Sequence, residues 1–166
     1  MGQFDADQAN RDLEETGKRP AWVTEHLRLY RESGGAEGHL FEATVAGVPG
    51  IVPCLLLTTI GRRSGKKLTS PLFYTMAGEA YIVAGSKGGS DKQPGWYLNL
   101  RANPVVDVQV GREQFTTHAR VATGKAKRTH ARALTPTFPI YAILLQPTKD
   151  RGFQQRFAAK CHWLTL

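Results

Sequence analysis

The run Leu55-Leu-Leu-Thr-Thr-Ile60 breaks directly into Gly61-Arg-Arg-Ser-Gly65, and this junction constrains the fold more than any other stretch. A short apolar run that stops at glycine reads as a buried strand feeding a tight turn. Gly61 and Gly65 let the backbone turn sharply and approach an anion, while Arg62, Arg63 and the Ser64 hydroxyl supply donors. Lys66 and Lys67 lengthen the cationic turn, and no carboxylate occurs between Glu42 and Glu79. Two readings are open from these residues: a solvated hairpin tip, or a cradle for a ligand carrying phosphate or carboxylate groups. The Walker spacing is absent, and no Gly-x-Gly-x-x-Gly opens a helix after a strand, so ATP and Rossmann-type dinucleotides are disfavoured.

At 166 residues, 41% of them hydrophobic, the chain fits one domain able to bury a core without disulfides or metals. The expected division is an N-terminal helical segment over 1–38 and a cofactor-binding barrel over 39–166. Val52–Leu57 and Ile140–Leu145, the longest apolar runs, fall far short of the ~20 residues needed to cross a bilayer. The N-terminus lacks the pattern of a signal peptide, and a cytoplasmic location is expected. Cys54 and Cys161 lie in apolar contexts far apart in sequence, which favours buried thiols over a disulfide or a nucleophile.

The net charge of +8 is unevenly spread: residues 1–42 hold nine acids and five bases, and residues 43–166 hold five acids and 17 bases. Such a field attracts polyanions. Nucleic acid is not expected, because no helix-turn-helix, RNP-type aromatic strand or zinc finger accompanies the charge. His26, His39, His118, His130 and His162 show no ligand spacing, so no metal is assigned, and no nucleophile-elbow motif supports a Ser-His-Asp reading.

Periodicity predicts a polar helix over Asp5–Glu15 and a second over Ala21–Glu32 with Val23, Leu27 and Tyr30 on one face. That face packs on the domain or, as the alternative, gives weak association with the inner membrane surface. Strands are predicted at Leu40–Val45, Val52–Thr59, Leu68–Met76, Tyr81–Ser86, Val105–Val110 and Glu113–Thr123, with hairpin turns at Ala77-Gly78 and Gly111-Arg112. A short helix follows Pro94 and ends at Asn103-Pro104, and another begins near Gly124. The last residues, Cys161–Leu166, read as a returning strand. This order favours a β-rich α+β fold, a closed or half-closed barrel with flanking helices.

Downstream of the cationic turn come Tyr81-Ile-Val-Ala-Gly-Ser-Lys-Gly-Gly89 and Pro94-Gly-Trp-Tyr-Leu-Asn-Leu-Arg-Ala-Asn-Pro104. With Pro71-Leu-Phe-Tyr74, Val108-Gln-Val-Gly111 and Ala119-Arg-Val-Ala122, these blocks resemble the deazaflavin-dependent nitroreductase family of the flavin and deazaflavin oxidoreductases, over roughly residues 50–124. The resemblance implies an FMN-binding-like split β-barrel that holds coenzyme F420. It places Arg62, Arg63, Ser64, Gly65, Lys66 and Lys67 on the phosphate or acidic tail, and Lys87 on the anionic linker. Ala84, Gly85 and Ser86 would lie beside the ring, Trp96 would close its far side, Gly95 would also bind the cofactor, and Tyr141 would face the substrate. Leu68 stands where relatives commonly carry a second Arg, so Lys66 or Lys67 would supply that charge. Taken singly, Trp96, Tyr97 and Tyr141 read more readily as core residues than as cofactor or substrate contacts.

The function implied is F420H2-dependent hydride transfer to a small electron-poor acceptor: an activated alkene, a quinone or a nitroaromatic. Tyr141, Ser86 or water would deliver the proton, and the protein would supply positioning. The rivals are an FMN-dependent reductase of the same fold and a non-enzymatic F420 carrier.

Overall fold

Strand β2 (Ile51–Ile60) organises the molecule, because three other strands pair directly with its two edges. A computed structural model describes residues 18–46, 50–85, 93–122 and 142–147. Around β2 it places α1 (Ala21–Glu32), β1 (Leu40–Glu42), a 3-10 turn (Ala43–Ala46), β3 (Lys67–Ala77) and β4 (Ala80–Ala84). Then follow α2 (Gly95–Ala102), β5 (Val105–Val110), β6 (Glu113–His118), β7 (Arg120–Val121) and β8 (Ala142–Leu145).

The strand order is β6-β5-β2-β3-β4-β8-β7, every pairing is antiparallel, and β1 joins β2 alongside β5. Strands β6 and β7 stand at opposite ends of that order yet are separated in sequence by Ala119 alone. The first half of this stretch pairs with β5 and the second with β8, which brings the sheet round on itself as a nearly closed split barrel. Ala119 donates its N–H to the Pro104 carbonyl at 2.8 Å, and the Thr117 hydroxyl donates to the Gln146 carbonyl. The single predicted strand Glu113–Thr123 is therefore broken where it changes partner. β8 was not foreseen as a strand.

The predicted turns hold. Gly78 and Gly111 take φ of +56° and +55° in two-residue hairpins, the conformation that glycine tolerates without cost. The first predicted strand stops early at Glu42, because Thr44 turns its N–H and hydroxyl onto the Glu42 carboxylate in competition with the ladder.

Alternate side chains of the barrel wall fill its interior: Leu55 and Leu57 of β2, Val106, Val108 and Val110 of β5, Tyr81 and Val83 of β4, Ile143 and Leu145 of β8. Helix α2 adds Tyr97 and Leu100 to the same core. Each such side chain contributes ~1.5–3 kcal/mol by leaving water. Cys54 is buried as expected, and burial pushes its thiol up to about 12, so it stays protonated.

Helix α1 buries a different stripe from the one its hydropathy predicts. His26 and Tyr30 are buried, whereas Val23 and Leu27 are only half-buried. Phe41 of β1 explains the shift, since it stacks on His26 at 4.2 Å and on Trp22 at 5.6 Å. The fully buried Tyr30 hydroxyl donates to the Cys54 carbonyl at 3.1 Å and accepts from the Gly111 N–H at 2.8 Å. It thereby fills the gap on the edge of β2 between β1 and β5. Gly35 presses on Gly111 just beside it; a Cβ there would overlap the Gly111 carbonyl.

Among the described residues no helix is long and apolar enough to cross a membrane. The predicted helices at Asp5–Glu15 and beyond Gly124, the strand Cys161–Leu166 and Cys161 itself lie outside the described residues.

Candidate cofactor site

The turn between β2 and β3 is shaped by its two glycines and one serine. Gly61 donates to the Lys66 carbonyl and Gly65 to the Gly61 carbonyl, each at 2.8 Å, and Gly65 adopts φ of +66°. The Ser64 hydroxyl folds back over the turn and accepts the Lys66 N–H at 3.3 Å. A Cβ at position 61 would collide with that hydroxyl and come within 3.1 Å of Leu68, so the first glycine makes room and the second makes the bend. The result is a tight loop on which Arg62, Arg63, Ser64, Gly65 and Lys66 are all exposed.

Asn99 of α2 braces this loop from beneath. It is 4% exposed; its Oδ1 accepts the Arg62 N–H and the Arg62 Nη1, each at 3.2 Å, and its Nδ2 donates to the Thr59 hydroxyl at 3.3 Å. A buried amide left without partners costs ~1–3 kcal/mol, and here both its ends are used. Sequence reasoning missed Asn99. The available signal was an amide in the interior of a short, otherwise apolar helical pattern, Trp96-Tyr-Leu-Asn-Leu100.

The four cations do different work. Arg62 is drawn back onto Asn99, whereas no hydrogen bond or ion pair ties the Arg63 or Lys66 side chain among the described residues. Lys67 belongs to β3 rather than to the turn. Its ammonium binds Asp107 of β5 at 2.8 Å, and the Lys67 and Thr116 hydrogen bonds hold the Asp107 carboxyl below its ordinary value. The cluster expected from the sequence is thus two outward cations, one braced arginine and one ion-paired lysine.

Of the ring-side residues, Ala84 ends β4 half-buried, Gly85 is buried, Gly95 opens α2 in an exposed position, and Trp96 is half-buried against the barrel core with Tyr97 edge-on to it. Ala84 pairs with Ala142, so the end of β4 and the start of β8 lie side by side. Ser86, Lys87 and Tyr141 lie outside the described residues. Leu144 packs with Ile82 and Ala122. No group of three or more His, Cys, Asp or Glu positioned to hold a metal ion occurs among the described residues.

The sequence model of the F420H(2)-dependent quinone reductase family matches residues 22–151, which takes in the turn, α2 and all eight strands. The chain belongs to that family. Over 95 residues it is 40% identical to the F420H(2)-dependent quinone reductase of Mycobacterium tuberculosis and to a putative one of Mycobacterium bovis, covering 57% of this chain and 59% of each relative. The match therefore spans less than two thirds of those relatives' length. A solved F420-H2 dependent reductase (FDR-A) is 31% identical with a TM-score of 0.48, covering 55% of this chain and 93% of that one. A second solved chain, described as a domain-swapped dimer, is 28% identical with a TM-score of 0.52, covering 75% and 97%. The family's cofactor, as its name states, is F420.

Proposed function

We propose that this protein binds reduced F420 and passes hydride from it to a small electron-poor acceptor. Quinones are the first class to test, ahead of activated alkenes and nitroaromatics. The observation that carries this reading is the division of labour at the β2–β3 turn. Asn99 fixes the loop to α2 through Arg62, and the Ser64 hydroxyl folds back onto the Lys66 N–H, while the exposed Arg63 and Lys66 side chains stay uncommitted among the described residues. These donors fit a ligand with a phosphate and several carboxylates, because charge-assisted contacts need donors that the fold has not already used.

When bound, F420 supplies the hydride. The chain's own residues do the rest. Arg63 and Lys66 hold the anionic end, and Lys66 takes the place of the arginine that Leu68 replaces, since Lys67 is committed to Asp107. Trp96, on the helix that Asn99 anchors, and the Ala84-Gly85 backbone would hold the ring. Tyr141 or Ser86 delivers the proton to the acceptor, or water does so in their place.

The deciding experiment is a side-by-side binding titration with F420 and FMN. F420 is expected to bind much more tightly; tighter FMN binding, or a yellow flavin copurifying in stoichiometric amount, overturns the assignment. Reduced F420 is then offered with a panel of quinones, enones and nitro compounds. Binding without oxidation by any of them favours the carrier reading.

A further inference from the structure

A cavity of about 360 Å3 opens on the face of β2 opposite the barrel core, lined by Thr58, Thr69 and Asp107 and reaching Lys67 at the foot of the β2–β3 turn. Its floor follows from strand register. Thr69, Thr58, Asp107 and Thr116 stand directly across from one another on β3, β2, β5 and β6. They alternate with the inward-facing Leu57 and Val106, so all four project outward. Thr58 and Thr69 share a hydrogen bond of 2.8 Å, and Thr116 donates to Asp107 at 2.7 Å.

The charges around this polar row do not balance. Arg31, in the last turn of α1, lines the cavity together with Lys67. The half-buried Arg19 reaches the same row, donating from Nη1 to the Thr69 carbonyl at 2.7 Å. Among the described residues Asp107 is the one carboxylate lining the cavity, and it is already taken by Lys67 and Thr116. Arg19 and Arg31 are close enough to oppose each other: burial first, then the Arg31 charge, holds the Arg19 guanidinium below its ordinary value. Two like charges on a freely solvated face would swing apart. Here Arg19 is fixed by its bond to a strand carbonyl.

We propose that this outer groove is an oxyanion site, taking the carboxylate or phosphate group of a small polar molecule between Arg19 and Arg31, with the threonine row and Gln114 meeting its remaining polar atoms. The site is independent of the F420 reading, since neither Arg63 nor Lys66 lines it. The same chemistry is also carried by the chain itself: Asp5, Asp7, Asp12, Glu14 and Glu15 all precede Lys18 in sequence.

The test is an NMR titration of the isotope-labelled full chain with inorganic phosphate and, separately, with glutarate, against sodium chloride at matched ionic strength. Saturable shifts are expected at the amides of Arg31, Gln114 and Thr116. Arg31→Gln, at an exposed position that the fold tolerates, should weaken them about tenfold, a change equivalent to roughly 1.4 kcal/mol. Arg19→Gln should act in the same direction, and Arg63→Ala should leave these shifts unchanged. Equal shifts with chloride, shifts confined to residues 61–66, or full binding by Arg31→Gln would each overturn the proposal. A variant with the five early acids neutralised separates the two sources. Tighter phosphate binding in it identifies the chain's own carboxylates as competitors for the groove, and unchanged binding leaves the groove to a free small molecule.

Discussion

The two ends of β2 are built from the same kind of parts and finish in opposite states. At the end near Cys54, the Tyr30 hydroxyl, the Cys54 carbonyl and the Gly111 N–H satisfy one another, and Gly35 closes against Gly111 with no room to spare. At the other end Asn99 satisfies the base of the turn, yet the turn itself keeps Arg63 and Lys66 exposed and uncommitted among the described residues. Both ends use a buried polar side chain on a helix to brace a glycine-bearing loop. At the first, Tyr30, Cys54 and Gly111 use one another's polar groups, although the buried His26 Nδ1 on the same helix has no hydrogen-bond partner among the described residues; at the second, Arg63 and Lys66 remain uncommitted. Polar groups that satisfy one another hold a seam together, and uncommitted donors on a braced loop are what the proposed cofactor contact requires.

The sharpest way to break the contrast is Gly35→Ala. The residue has φ of +85°, and its added Cβ would overlap the Gly111 carbonyl, so both strain and overpacking follow. A loss of about 2–5 kcal/mol is expected in urea or guanidinium unfolding. A variant of parental stability would mean that the seam yields easily and that the saturated end is not the rigid one.

Tyr30→Phe and Arg63→Ala form a mirrored pair. Removing the Tyr30 hydroxyl takes the Gly111 N–H's partner and leaves the Cys54 carbonyl with the His39 Nδ1 contact at 3.2 Å, which costs about 1–3 kcal/mol and lowers Tm by several degrees. F420 affinity should not change. Arg63→Ala should do the reverse: a melting temperature close to the parent's, as for most exposed substitutions, and a tenfold or greater loss of F420 affinity that fades as salt rises. Calorimetry and a fluorescence titration on both variants decide the matter. If each substitution moved both quantities, the division between the two ends would be false.

Asn99→Ala sharpens the comparison because this residue belongs to both categories. It should lose about 1–2 kcal/mol of stability through the orphaned Arg62 N–H, and also several-fold in F420 affinity as the turn loosens on α2. An affinity unchanged at parental temperature and salt would show that the turn holds its shape by its own glycine hydrogen bonds.

What could be read from sequence, and what could not, follows the same physical line. Turn chemistry is local, so Gly78, Gly111, the Pro94 helix start and the bounds of β5 were legible in the order of residues alone. The glycine-bracketed cationic turn was legible for the same reason. Partner exchange is not local: the break at Ala119 exists because β6 leaves β5 and β7 finds β8. The buried face of α1 was misread because His26 counts as polar until Phe41 is placed against it. Lys67 was within reach. Once β3 is taken to begin there, the period of two aligns Lys67 with Thr69 on the outer face and separates it from Arg63.

The smallest effect expected is in pH. The Asp107 carboxyl is held below its ordinary value of 3.8, by the Lys67 and Thr116 hydrogen bonds in that order. A carboxyl with a lowered folded value binds fewer protons folded than unfolded. Its contribution is therefore complete above the ordinary aspartate range and is lost as pH falls from about 3.8 through the folded value. The pair is well exposed, with 70% of the Lys67 side chain and 44% of the Asp107 side chain open to solvent, so water and salt screen most of it. The stake is then roughly 0.2–1 kcal/mol, the range of surface ion pairs. Comparing parent and Lys67→Ala by urea unfolding at pH 7 and near pH 3 should show a small gap at pH 7 that narrows at pH 3. Because Lys67 sits on the outer row rather than the turn, the same variant should bind F420 with nearly parental affinity. A tenfold loss there would return Lys67 to the cofactor's side of β2.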